Sequence, residues 1–195
     1  EDKYNRVEEL PFVVMGSGLA AIEIIFALRK RWCKRSLILV CEKRKISRKI
    51  LKSLKTFNIK LESKLNFQYR KILLCTGNQP SSWIRNNKLL LDKRGRIITD
   101  LDLKVKYFSD VFAVGDCAYP GYSENPSSGI FAVKVVNTLA KNLKIDLKNN
   151  KLRKWNPPKK GLQILNSFND NIPKAFLIYG ELTLGPSKLF WDLKN

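Results

Sequence analysis

The sequence predicts an α/β fold built around a parallel sheet, and three observations carry that prediction. A glycine-containing turn, Gly16-Ser17-Gly18, separates a short apolar run from a segment with helical periodicity. The run "SLILVCE" (36–42) is apolar almost without a break, as a parallel strand covered on both faces should be. Strand and helix patterns then alternate through the first third of the chain.

Taken in order, "EDKYNRVEEL" is polar and reads as a linker or connecting helix. "PFVVM" (11–15) reads as a short buried strand, and "LAAIEIIFALRKRW" as a helix with an apolar face through Leu19, Ile22, Ile25 and Phe26. Residues 36–42 form the second strand, 46–57 a helix, and 58–63 a further strand. "RKILLCTG" (70–77) is another apolar strand, ending on Thr-Gly. Turn signals at Asn-Gln-Pro and Lys-Arg-Gly mark a loop-rich part with a strand at 96–99. "DVFAVGDCA" predicts a strand ending on Gly-Asp, and 129–143 a helix with Gly129 near its start. From about residue 148 a linker, "KNNKLRKWNPPKK", leads to hairpin-like strands around 161–165, 175–179 and 182–184. No internal repeat is visible.

The composition bounds the chemistry. The chain has 195 residues, 44% of them hydrophobic and 10% aromatic, enough for one sizeable core or two small domains. It starts at Glu1 rather than Met, as expected of a trimmed or incomplete frame. There is no histidine, which excludes a histidine-based triad within this chain. The four cysteines, at 33, 41, 75 and 117, show no C-x-x-C pairing, against a zinc ribbon or a redox dithiol. Cys41 and Cys75 sit in apolar runs and read as buried, and a reducing compartment is expected. No stretch of about 20 uninterrupted apolar residues and no signal-peptide pattern is present, so no membrane span is expected. The 37 basic against 17 acidic residues, net +20, fit an anionic partner or plain compositional drift. Their scatter in pairs and triplets favours drift.

The strongest local signal is Gly16-x-Gly18-x-x-Ala21-x-Glu23 between a strand and a helix. Gly16 allows the tight turn, Gly18 lets backbone approach a pyrophosphate, and a small Ala21 lets helix and strand pack closely. The helix N-terminus then offers N–H groups and a positive dipole end to phosphate. Glu42 ends the second strand, where an acid accepts hydrogen bonds from the adenosine ribose and favours NAD over NADP; Arg44 nearby softens that preference.

The ordered set "LLCTG", "GRIITD", "VFAVGDCA" and "PSSGIFAVKVVNTLAKNL" resembles the pyridine nucleotide-disulfide oxidoreductase superfamily. By that resemblance Thr76 and Gly77 match the strand end that returns the chain to the FAD domain, and Thr99 matches the threonine ahead of the last motif. Gly115 and Asp116 match its Gly-Asp, whose aspartate binds the ribityl chain of FAD. The backbone N–H groups of Phe131 and Ala132 would face the pyrimidine edge of the flavin, and Glu23 would lie near the nicotinamide. As a helix residue Glu23 could equally make a salt bridge. The C-terminal third resembles type II NADH dehydrogenase-like proteins, most similarly the version fused to, or beside, selenide, water dikinase. Three features depart from the family pattern. This chain has a single G-x-G loop, where the family also uses one for the ADP part of FAD. A redox cysteine pair would sit in that other half. The usual meander ahead of Thr76 is cut to "LESKLNFQYRK".

The implied fold class is therefore α/β: a Rossmann-like NAD(P)-binding βαβ unit, the C-terminal part of an FAD-binding domain, and a small α+β C-terminal region. The expected divisions are 10–77, 78–147 and 148–195. The implied function is an FAD-dependent NAD(P)H oxidoreductase, with FAD and NAD(P)H as cofactors (NAD favoured) and an unidentified electron acceptor. Catalytic side chains and a metal are not expected. The implied location is cytoplasmic, with peripheral membrane contact and association with selenide, water dikinase as further expectations, and nucleic acid not expected. The alternative is a non-catalytic nucleotide-binding remnant or pseudoenzyme.

Overall fold

A computed structural model describes residues 10–194 apart from 67, 70, 86, 122–128, 146–150, 159, 170 and 171. The polar N-terminal segment, residues 1–9, and the first residues of the expected linker lie outside them. The chain forms two compact units, one made of Glu1–Gly77 with Leu162–Asn195, the other of Asn78–Gly161.

The first unit holds a four-stranded parallel sheet. Its elements are β1 (Phe12–Met15), α1 (Leu19–Arg31), β2 (Leu37–Val40), α2 (Arg48–Thr56), β3 (Ile59–Glu62) and β4 (Lys71–Leu74). The strand order is β3-β2-β1-β4, with Val13 level with Ile38 on one side and Ile72 on the other. The order reverses at β1, so the loop after β1 opens at the switch point where α/β sheets bind ligands. β2 is buried at all four residues, as its unbroken apolar run requires. α1 buries Ala21, Ile22, Ile25 and Phe26 on the expected face. α2 starts one turn later than the sequence pattern suggests, because Ser47 Oγ caps it by accepting from the Ile50 N–H. β4 is the sheet edge, so Leu73 and Leu74 are exposed and Cys75 is only half-buried, while Cys41 is buried as expected.

Leu162–Asn195 complete the same unit. β7 (Leu162–Asn169), β8 (Ile172–Tyr179) and β9 (Leu182–Ser187) form an antiparallel sheet, followed by the short α5 (Lys188–Asp192). Leu165, Phe176 and Ile178 join one apolar cluster with Ile22, Ile25 and Phe26 of α1 and with Leu37 and Leu39 of β2. The C-terminal sheet is thus a wall of the core beneath α1.

The second unit contains α3 (Ser82–Arg85), the parallel pair β5 (Ile97–Thr99) and β6 (Ala118–Pro120), and α4 (Gly129–Leu143). α4 has the bounds its periodicity predicts. "DVFAVGDCA" does not form the expected strand: Phe112 makes one bridge to Lys104, Gly115–Cys117 form a 3-10 turn, and β6 begins only at Ala118. The segment pairs with a tight turn in which Leu103 and Tyr107 have positive φ, so the ladder cannot extend. Buried Asn142 anchors the end of α4, donating to the Asp102 and Arg153 carbonyls and accepting from the Arg153 N–H. Among the described residues no helix is long and apolar enough to cross a membrane.

Candidate functional site

Two candidate regions emerge, one in each unit. The first is the loop between β1 and α1. The Gly16 N–H donates to the Val40 carbonyl, fixing the loop to β2 at 2.9 Å. Gly16 has φ of 152°, and a Cβ there would collide with the Cys75 carbonyl oxygen and stand 3.2 Å from the Ala21 Cβ. Glycine at 16 and a small residue at 21 are therefore demands of close packing. Gly18 differs. It is the N-cap of α1 in extended conformation, and a Cβ there would meet nothing within 4 Å. α1 has no side-chain cap and no acid in its first turn. An open position before uncapped N–H groups fits a phosphate ligand, which supplies the missing acceptors.

Glu42 follows β2, and its backbone N–H donates to Ser17 Oγ at 2.8 Å, which ties the acid to the glycine loop. The sequence reading passed over Ser17, since the middle residue of G-x-G carries no residue-type signal. The Glu42 carboxylate accepts from Lys45 Nζ at 2.6 Å and from Arg44 Nε and Nη2 at 3.2 and 3.1 Å. The hydrogen bond from Lys45, then that from Arg44, holds it below the usual carboxylate range. Glu23 Oε1 accepts from Lys194 Nζ at 2.7 Å and from the Asn166 N–H at 3.4 Å. It ties α1 to the C-terminal region, the salt-bridge alternative weighed above.

Thr76 and Gly77 follow β4 and are exposed; Gly77 has φ of 103° and open space where a Cβ would sit. The remaining candidates lie in the second unit. Gly115 has φ of 75°, and its Cβ position is 3.8 Å from the Ala132 Cβ, so the Gly-Asp turn sits against the first turn of α4. Asp116 is exposed and its Oδ2 accepts from Asn78 Nδ2 at 3.1 Å. Asn78 is a partner the sequence gave no way to find, 38 residues upstream. Phe131 buries its ring with Leu103, Val135 and Trp155, which pins the start of α4. The Thr99 hydroxyl is buried without a partner, while its carbonyl accepts from the Gly121 N–H. An uncommitted buried hydroxyl, an exposed carboxylate on an adjoining turn and a helix start free of acids suit a polar ligand with both donors and acceptors. The residues present thus fit the ribityl and pyrimidine end of a flavin. Among the described residues no group of three or more His, Cys, Asp or Glu could hold a metal ion.

These features define a dinucleotide-binding α/β protein. The family model described as pyridine nucleotide-disulphide oxidoreductase matches residues 43–136, a range that takes in Thr76, Gly77, Thr99, Gly115, Asp116, Phe131 and Ala132 but begins after the glycine loop and Glu42. The chain belongs to the pyridine nucleotide-disulfide oxidoreductase superfamily. Among curated proteins it is similar to the internal alternative NAD(P)H-ubiquinone oxidoreductase A1, mitochondrial, of Arabidopsis thaliana, at 36% identity over 81 residues. That similarity covers 42% of this chain and 16% of the relative. Reduced Bacillus anthracis CoADR-RHD shares the fold, with TM-score 0.59 and 18% identity over 94% of this chain and 36% of the other. Lactococcus lactis thioredoxin reductase in the FR conformation aligns over 65% of this chain and 49% of its own, at TM-score 0.49 and 19% identity.

Proposed function

We propose that this chain is the nicotinamide-nucleotide-binding and flavin-facing part of an FAD-dependent NAD(P)H oxidoreductase. The observation that carries the flavin reading is the seating of the Gly115–Asp116 turn against Ala132 of α4. In this reading Asp116, oriented by Asn78, accepts from ribityl hydroxyls. The N–H groups of Phe131 and Ala132 face the pyrimidine edge, and Thr76 and Gly77 line the approach from β4. The open position at Gly18 admits the pyrophosphate of the nicotinamide nucleotide, and Glu42 takes its ribose hydroxyls, which supports NADH as a coenzyme. When bound, the nicotinamide supplies a hydride to the flavin, which passes electrons to a second acceptor. The protein's part is binding, orientation and electrostatic tuning of the reduced flavin by the α4 N-terminus. Glu23 enters this proposal only as a neighbour of the nicotinamide, since its Oε1 already serves Lys194 and Asn166. The proposal also includes a cytoplasmic setting, peripheral contact with an anionic membrane through the basic surface, and association with selenide, water dikinase.

A second reading, a nucleotide-binding protein without flavin chemistry, is favoured by one observation: a single G-x-G loop is present. Titrating the chain with FAD and following flavin fluorescence separates the two. Saturable quenching is expected, weakened about tenfold by Asp116→Ala through the loss of charge-assisted hydrogen bonds. Absence of saturable flavin binding alongside intact binding of NADH would favour the second reading.

A further inference from the structure

The acid that ends β2 is not a bare carboxylate. Lys43, Arg44 and Lys45 follow it in a 3-10 turn, so one negative charge against three positive leaves +2 at the tip of the strand. Glu42 is chelated by Arg44 through two nitrogens and by Lys45 through one. Its backbone is anchored to the glycine loop through Ser17. All three side chains are substantially exposed, 47% for Glu42, 85% for Arg44 and 58% for Lys45. Exposed pairs of this kind exchange partners readily, because each lies in a high dielectric and is worth little net stabilisation.

This changes what the strand tip can select. A lone carboxylate at the adenosine ribose accepts from free 2′ and 3′ hydroxyls and repels a 2′-phosphate. A carboxylate already neutralised by two cations repels it far less. The cations are those a phosphate prefers, a guanidinium fork and an ammonium. We propose that Glu42, Arg44 and Lys45 form a coenzyme selector that admits both NADH and NADPH. With a free ribose, Glu42 accepts from the hydroxyls while keeping part of its chelate. With a 2′-phosphate, Arg44 and Lys45 exchange the carboxylate for the phosphate, and Glu42 turns away. The inference rests on the glycine loop binding the nucleotide, and it replaces strict NAD preference with acceptance of both forms.

The test needs neither flavin nor turnover. Isothermal titration of the full chain with 5′-ADP and with 2′,5′-ADP reads the selector directly. The wild type should bind 2′,5′-ADP at least as tightly as 5′-ADP. The Arg44→Ala/Lys45→Ala double variant should lower the 2′,5′-ADP preference about tenfold, as expected for loss of charge-assisted phosphate contacts. Glu42→Gln should raise that preference by releasing both cations. A Lys52→Ala/Lys55→Ala variant of the exposed face of α2 controls for general basicity and should leave the ratio unmoved. Binding of 5′-ADP with strong rejection of 2′,5′-ADP overturns the selector and keeps the nucleotide site, as does a control variant that lowers the ratio equally. Binding of neither probe overturns both.

Discussion

A methyl group added at Gly16 would run into the Cys75 carbonyl, whereas one added at Gly18 would stand in open space. The two glycines of one short motif therefore have separable roles. Gly16 holds a backbone crossing between β1 and β4 that no side chain can share. Gly16→Ala should cost about 2–4 kcal/mol, from backbone collision and positive φ, and is read by urea denaturation. Gly18→Ala should cost about 0.5 kcal/mol, since alanine is a poorer N-cap than glycine, yet it should weaken binding of 5′-ADP by crowding the pyrophosphate. Equal stability losses in the two variants would contradict this division. The motif itself was legible because turn, approach and packing each demand a residue type. Ser17 and Asn78 were not, because a hydrogen bond between residues 25 or 38 positions apart leaves no periodic trace.

Elements were legible where a local pattern decides them. α4 carries its own 3.6-residue repeat and the buried β2 its unbroken apolar run, and both form where that pattern lies. The edge position of β4 was hidden, since an apolar strand reads the same whether its far side is paired or open. The partner of the C-terminal sheet was hidden too. Leu165 opposite Phe176, with Ile178 two residues on, says that a face is buried without saying against what. In the structure that partner is α1. Phe176 is fully buried, and Phe176→Ala should destabilise the first unit by about 3–5 kcal/mol through lost burial and a residual cavity. Amide hydrogen exchange locates the effect: it should accelerate in α1 as well as in β8. Acceleration confined to β7, β8 and β9 would show that the C-terminal sheet does not support α1.

At the scale of the whole molecule, 37 basic against 17 acidic residues give a formal charge of +20, and self-repulsion of this size opposes the compact state. Acid worsens it, because protonating the carboxylates carries the charge toward that of the basic residues alone. Asp92 adds a local contribution. Burial pushes its carboxyl up, but hydrogen bonds from the Arg96 backbone, the Arg96 guanidinium and the Arg94 backbone outweigh burial and hold it below the ordinary aspartate value. The folded chain thus binds that proton less readily than the unfolded chain. The stabilisation is complete above the ordinary value, about pH 3.9, and disappears as pH falls through the lower folded value. Salt separates the two contributions. Raising it from about 0.1 M to about 1 M shortens the screening length from about 10 Å to about 3 Å, which relieves diffuse repulsion. It barely reaches the Asp92–Arg96 pair, at 2.7 Å with side chains 10% and 9% exposed. Asp92→Asn should therefore cost about 2 kcal/mol at pH 7, flatten the loss of stability below pH 4, and resist rescue by salt. Urea denaturation of both proteins from pH 3 to 7 at the two salt levels measures all three. An acid loss in the wild type that 1 M salt fully restores would assign the whole effect to net charge and leave Asp92 no share in it.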